Sequence, residues 1–283
     1  MKNRFLFLSR RRGRIGEDNK KKKDFVEIAK EIIRISDLLL LILDARYIKQ
    51  TRNPEIEEEI KKADKKLIYV INKADLADIE EALKEIAKEE IKPYVLFSCK
   101  NKIGRKELRK LIKIEIKRLK LKNRRFKKVH IGVIGYPNSG KSSLINILSR
   151  KGAAGISRIA GFTRGIQKIR FMRNVYLFDS PGILTKKEMP EKSEIFLKKQ
   201  AEIGIVDYNK VKNPDMVVYQ IMKKYPKVIE KYYNIPIQED AELVLMEIGK
   251  RFFFLRKGGE IDIDRTARKI LKDWQEGKIG NYK

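Results

Sequence analysis

The chain has 283 residues, enough for one substantial core and a smaller second domain, and its 42% hydrophobic and 37% charged residues exclude a wholly disordered chain. A formal net charge of +29 calls for a polyanionic partner, nucleic acid ahead of a membrane, because the longest apolar run, Leu38 to Leu43, falls far short of the ~20 residues that cross a bilayer. One cysteine, Cys99, and one histidine, His130, exclude an intrachain disulfide and a Cys/His zinc site.

Residues 1–24 carry ten Lys or Arg against three acids and read as a basic arm. Its Phe5-Leu6-Phe7-Leu8 is too short for a signal-peptide apolar region and has basic residues on both sides, so a cytoplasmic protein is expected. Phe25-Val26 opens a helical pattern, and from residue 37 short apolar runs alternate with amphipathic stretches. That alternation predicts an α/β fold, a mainly parallel sheet with helices on both faces. Strands are expected near 37–43, 66–71, 93–97, 129–134, 166–172 and 174–179. Helices are expected over 54–64, 78–90, 104–121 and 141–150. Asn53-Pro54 marks a helix start, the Asn as cap and the Pro at the first helical position.

At the end of the strand 66–71 stands Asn72-Lys73-Ala74-Asp75, where loops of open α/β sheets form ligand sites. Asp75 can accept from the ring N–H and the exocyclic amine of guanine, a donor pair that adenine lacks, while Asn72 and the Lys73 stem brace base and loop. Four letters alone are a weak match. Ser98-Cys99-Lys100 closes the next strand and fits the short loop whose backbone supports the guanine carbonyl oxygen, with Cys99 a half-buried spacer and no nucleophile. The helix 104–121 follows, packing Leu108, Leu111, Ile112, Ile116 and Leu119 inward. Residues 100–128 hold fifteen Lys or Arg against two acids, so its outer face is expected to contact RNA.

The strand His130 to Ile134 leads into Gly135-Tyr136-Pro137-Asn138-Ser139-Gly140-Lys141-Ser142, a phosphate-binding loop of the form G-x-x-x-x-G-K-[ST] that opens a helix. Glycines let the backbone wrap phosphates, the helix end offers free N–H donors with Ser143 beside them, Lys141 reaches the β- and γ-phosphates, and Ser142 ligates Mg2+. With this loop present, the Asn72–Asp75 motif names the nucleotide as GTP or GDP. Asp179-Ser180-Pro181-Gly182 ends the strand Val175 to Phe178 and matches D-x-x-G, with Asp179 for Mg2+ and the Gly182 N–H sensing the γ-phosphate. Thr163, between the two motifs and ahead of the next strand, is expected to complete the Mg2+ shell, in preference to Ser157.

Beyond about residue 184 the strand signal fades, and 193–204, 214–224, 238–250 and 263–275 read as helices. Three parts are therefore expected: the arm 1–24, a nucleotide-binding domain 25–190 and a helical domain 191–283. Residues 191–283 carry nineteen cations against fifteen acids, so the basic excess belongs to the nucleotide-binding domain. Arg251, Arg256, Lys257, Gly258 and Gly259 form a basic loop beside Phe252-Phe253-Phe254, aromatics that read as core in preference to base-stacking platforms; Trp274 also reads as core, and His130 as a packed or edge residue.

The motif order, with base recognition ahead of the phosphate loop, resembles the circularly permuted GTPases of the YlqF/YawG family, over about residues 24–283. Leu43-Asp44-Ala45-Arg46, Arg52-Asn53-Pro54, Ile248-Gly249-Lys250-Arg251 and Lys257-Gly258-Gly259 add to the likeness. The resemblance implies a permuted Ras-like domain followed by a helical one. It also implies GTP hydrolysis coupled to assembly of the large ribosomal subunit, with rRNA as a partner, and the chain is expected to act as a monomer.

The residue after D-x-x-G, where Ras-like enzymes keep a water-orienting Gln, is Ile183. Slow intrinsic turnover follows, with the missing group supplied by a cation or the partner. Asn138 occupies the position that helps hold K+ in potassium-activated GTPases; alternatively its side chain only steadies the loop turn. A GTP-regulated RNA-binding protein with negligible turnover is the competing reading.

Overall fold

The computed structural model describes residues 25–122, 128–149, 157–158, 167–179, 201–238 and 240–279. The basic arm, the link 123–127, Thr163, Gly182, Ile183 and the start of the expected helix 193–204 lie outside the described residues.

Helix α1 (Phe25–Ile35) precedes β1 (Leu38–Asp44), a strand buried along its whole length. Helices α2 (Ile48–Thr51) and α3 (Pro54–Lys62) lead to β2 (Lys66–Asn72), α4 (Ile79–Lys88) to β3 (Tyr94–Leu96), and α5 (Arg105–Lys122) to β4 (Val129–Gly135). Helix α6 (Lys141–Leu148) follows, then β5 (Ser157–Arg158), β6 (Gln167–Met172) and β7 (Val175–Asp179). The seven strands lie in the order β3-β2-β1-β4-β7-β6-β5. Pairing is parallel from β3 to β7, and the β6–β7 and β5–β6 pairs are antiparallel.

Period-two alternation along β1 divides the core between the two faces of the sheet. Leu39, Leu41 and Leu43 pack with Ile32 of α1, Ile60 of α3 and Ile86 of α4. Leu38, Leu40 and Ile42 pack with Leu108, Ile112 and Ile116 of α5 and Leu144 and Leu148 of α6. Leu111 and Leu119 are only partly buried at the edge of that layer. The expected cap is present, the Asn53 side chain accepting from the Ile56 N–H at 3.1 Å.

Helices α7 (Pro214–Lys224), α8 (Val228–Tyr233), α9 (Ala241–Arg251) and α10 (Ile263–Gln275) enclose a third core. The start of α9 is three residues later than expected because the Asp240 side chain caps it, accepting from the Glu242 N–H at 2.8 Å. Asp273, fully buried, is held by the Tyr233 hydroxyl at 2.8 Å and by ion pairs with Lys269 and Lys278. The triple-Phe segment is a correction. Phe253 is 81% exposed and Phe252 39%, because α9 ends at Arg251 and the chain turns outward there.

Among the described residues, the helical part meets the sheet domain through a small apolar junction, Tyr47 and Tyr136 against Ile203 and Ile205, and Leu76 lies close against Gly277. Arg46 Nη1 also donates to the Trp274 carbonyl at 3.4 Å.

Candidate functional site

In an open α/β sheet, ligands bind beyond the carboxyl ends of the strands where the chain order reverses. That switch point lies between β1 and β4. From β1 the chain proceeds to β2 and β3 on one side, then returns through β4 and β7 on the other. The carboxyl ends gathered there are Asp44 of β1, Asn72 of β2, the loop Phe97–Lys100 after β3, Gly135 of β4 and Asp179 of β7.

Asn72 is the joint of this cluster. Its Nδ2 donates to the Ser139 carbonyl at 2.7 Å, and its Oδ1 accepts from the Cys99 N–H at 3.3 Å. One buried amide thus ties together three sequence motifs, and it does so across 67 and 27 residues of chain. Gly140 makes the approach possible. Its φ of +98° lies in the left-handed region, and a Cβ there would sit 2.2 Å from Asn72 Nδ2.

Lys73 adopts a left-handed φ of 63°, which starts the 3-10 turn Ala74–Leu76 and places half-buried Asp75 within it. The Lys73 ammonium lies 2.9 Å from Asp44 Oδ2, and Arg46 grips the same carboxylate from the other side at 2.8 Å. Burial alone would raise the Asp44 carboxyl, but Arg46 and Lys73 outweigh it and hold it at about 2. Sequence reading took Asp44 and Arg46 only as a likeness. The signal that could have found them is a charged pair directly after the most apolar strand, at a carboxyl end.

Ser98 is buried and its Oγ accepts from the Asn101 N–H at 3.0 Å, which turns the loop. Burial pushes the Cys99 thiol up to about 11, so it is no nucleophile. Lys100 is exposed.

At the phosphate loop, buried Lys141 folds back on the Gly135 and Tyr136 carbonyls at 3.1 and 2.6 Å. Burial pushes its ammonium down to about 8. Ser142 and Ser143 are exposed on the first turn of α6, with Pro137 and Ser139 framing the loop. Ser142 Oγ donates to Asp179 Oδ2 at 3.0 Å, while Asp179 Oδ1 is buried with no partner among the described residues. Burial pushes the Asp179 carboxyl upward. A buried acid with one oxygen unmatched beside a hydroxyl suits a hard divalent cation with oxygen ligands. Asn138, at a left-handed φ of 59°, turns its Nδ2 to the Gly204 carbonyl at 3.1 Å, bridging to the helical part. His130, near the start of the central strand β4, stacks on Phe178 of β7 with ring centroids 5.1 Å apart, a packing role rather than an edge one.

The family described as 50S ribosome-binding GTPase matches residues 130–246. The GTP-binding protein MJ1464 of Methanocaldococcus jannaschii is 39% identical over 269 residues, which covers 93% of this chain and 68% of that protein. Nucleolar GTP-binding protein 2 of Saccharomyces cerevisiae is 33% identical over 88% of this chain, and the guanine nucleotide-binding protein-like NSN1 of Arabidopsis thaliana 32% over 94%. The chain spans about half the length of these two, 51% and 49%. Among solved structures, GNP-bound YlqF from T. maritima shares the fold with a TM-score of 0.58 at 22% identity, covering 89% of this chain and 94% of that one.

Proposed function

This chain belongs to the circularly permuted GTP-binding proteins of the YlqF/YawG family, and on that footing we propose that it hydrolyses GTP to GDP and phosphate as an assembly factor of the large ribosomal subunit. The observation that carries the nucleotide part is Asn72, whose amide joins the base-recognition, loop-support and phosphate motifs in one hydrogen-bonded unit. Asp75 selects guanine, Lys73 and the Ser98–Lys100 backbone frame the base, and the loop Pro137–Ser143 receives the phosphates through Lys141 and the free N–H groups of α6. Ser142 and Asp179 would hold Mg2+, which neutralises charge on the phosphate oxygens. Thr163 is assigned to the Mg2+ shell and Gly182 to the γ-phosphate from their spacing in sequence alone.

The ribosomal part draws on the names of the matched family and of the nucleolar relatives, and on charge. Lys106, Lys110, Lys113 and Lys117 fall at i, i+4, i+7 and i+11 of α5 and, with Arg109 and Ile114, line a surface groove of 460 Å3 that contains no acid. Such a face suits the RNA phosphate backbone. Changing the four lysines to Glu should flatten the salt dependence of rRNA binding by about 3 in the log–log slope.

The decisive measurement is GTP turnover with and without purified large ribosomal subunits. Stimulation by the subunit is expected, since Ile183 cannot orient water. Binding that depends on GTP with no turnover under either condition would favour the regulated placeholder instead. Asn138 can offer its Oδ1 to K+ while its Nδ2 stays on Gly204. Equal turnover in sodium and potassium buffers would remove that role.

A further inference from the structure

The exposed end of the triple-Phe segment is built in an unusual way. Helix α9 closes with the Phe253 N–H on the Lys250 carbonyl at 3.1 Å and the Phe254 N–H on the Gly249 carbonyl at 2.9 Å. This closure places Phe253 in the left-handed region at φ 53°, a position that glycine normally fills. A bulky apolar residue therefore occupies a strained backbone site and still turns its ring to solvent.

Its neighbours form a rigid base for it. Phe252 stacks on Phe254 with centroids 5.7 Å apart, Arg265 lies 4.5 Å over Phe254, and Lys269 lies 5.3 Å over Phe252. Beyond them the chain makes a narrow hairpin, bridged at Leu255 and Ile261, with Arg256 N–H on the Glu260 carbonyl at 2.8 Å. The tip is Lys257-Gly258-Gly259, with both glycines at positive φ, and a Cβ built on either meets no described atom within 4 Å. Residues 250–259 carry four cations and no acid, Glu260 follows directly, and Arg256, more than half exposed, lies 3.7 Å from Asp262.

We propose that this projection binds an unpaired stretch of RNA: Phe253 stacks on a splayed-out base while Arg256 and Lys257 hold the flanking phosphates. The proposal rests on the ribosomal reading above and deepens it by naming unpaired bases as what the helical part recognises. An exposed ring at the base of a hairpin cannot read the deep, narrow major groove of A-form RNA, but it can receive a base already out of the stack. The apolar surface offered, Phe252, Phe253 and Leu255, is too small for a stable protein interface, which needs at least ~1,000 Å2. The surrounding charge favours a polyanion. The open glycines let the strand pass close to the backbone, where any larger residue would stand in its path.

The test uses the full-length protein with a fluorescent 12-nucleotide single-stranded RNA and a duplex of the same sequence, both in moderate salt. Phe253→Gly removes the ring and relieves the positive φ, so it should fold at least as well as the parent. It should weaken single-strand binding about tenfold or more and leave duplex binding and GTP affinity unchanged. Phe253→Trp should keep the affinity and show fluorescence quenching on RNA addition. Replacing Arg256 and Lys257 with Gln should lower the salt slope by about 1 to 2 for the single strand.

Equal single-strand affinity for Phe253→Gly and parent would overturn the proposal while leaving the ribosomal reading intact, provided subunit-stimulated turnover persists. If the parent binds neither RNA nor ribosomal subunits, both readings fall. Binding to phosphatidylglycerol vesicles that Phe253→Gly abolishes, without an effect on RNA, would identify the projection as a membrane contact and overturn the proposal.

Discussion

At the base end of the nucleotide site the polar groups are matched before any ligand arrives. Asp44 meets both Arg46 and Lys73, and Asn72 commits both ends of its amide to Ser139 and Cys99. At the phosphate end, built from the loop after β4 and the end of β7, the groups are held within their own loop or left unmatched. Lys141 lies on two carbonyls of its own loop, and one oxygen of Asp179 is buried without a partner among the described residues. The first arrangement is a preorganised frame, whose loss costs stability as well as affinity. The second holds its groups at a desolvation cost that a polyphosphate and a cation would relieve. The matched frame at the ends of β1 and β2 is thus a property of the fold, while the phosphate loop keeps polar groups that a nucleotide could engage.

The largest expected effect comes from removing the carboxylate proposed to select guanine. If Asp75 holds guanine as proposed, Asp75→Ala deletes two hydrogen bonds from a carboxylate, each contributing about 1.5–3 kcal/mol, so GTP and GDP should bind about 10²- to 10⁴-fold more weakly by calorimetry. Stability of the nucleotide-free protein should change little, since Asp75 is half-exposed in a short turn. Affinity within tenfold of the parent would place guanine elsewhere.

Asp44→Asn tests the frame itself. It leaves the buried Arg46 and the Lys73 ammonium without their counter-charge, and removal of one partner from a buried pair costs about 3–5 kcal/mol. The same carboxylate gives a pH signature. Its folded value, about 2, is below the ordinary 3.8. Its stabilisation, about 2 kcal/mol, is therefore fully present above pH ~4 and lost as the pH falls from ~4 to ~2. Acid titration of stability should show that component in the parent and not in Asp44→Asn, whose curve starts lower and is flatter across the window.

The frame was only partly legible in sequence, for a geometric reason. The apolar run Leu38–Leu43 with its period-two division announces a buried strand, and the glycine spacing from Gly135 to Gly140 announces a phosphate loop, because both signals are local. The Asp44–Lys73 pair is not local: it exists because parallel pairing sets Asp44 beside Asn72, and the next residue then enters a left-handed turn. Phe253 failed for another reason. The end of its helix is expected near residue 250, but three aromatics in a row look like core, and their pattern does not show that the chain turns outward after Arg251. The short helix Val228–Tyr233 and the late start of α9 were likewise decided by turns and caps, which periodicity does not see.

Gly140→Ala strikes the seam between the two ends. The added methyl would lie 2.2 Å from Asn72 Nδ2 on a backbone with φ +98°, so either the loop or the Asn72 amide must move. We expect a loss of about 1–3 kcal/mol in stability, comparable to one strained residue and one broken buried hydrogen bond, with a fall in affinity for GTP and GDP alike. A stable Gly140→Ala protein that discriminates guanine from adenine as the parent does would show that the two ends are independent.

The smallest effect is expected at Asn138, which belongs to the phosphate loop but donates to the helical part. Losing one part-buried hydrogen bond to the Gly204 carbonyl should cost about 0.5–1.5 kcal/mol. Hydrogen exchange should report it more clearly than melting, as faster exchange confined to residues 201–206 and Tyr136, where Ile203 and Ile205 close the junction. This variant separates the two roles open to the residue. If Asn138→Ala loosens the junction and potassium still accelerates turnover, the side chain is a mechanical tie. If potassium stimulation disappears as well, one amide serves both, its Nδ2 reaching the helical part and its Oδ1 facing the cation, and the phosphate end of the site is where nucleotide state passes to that part.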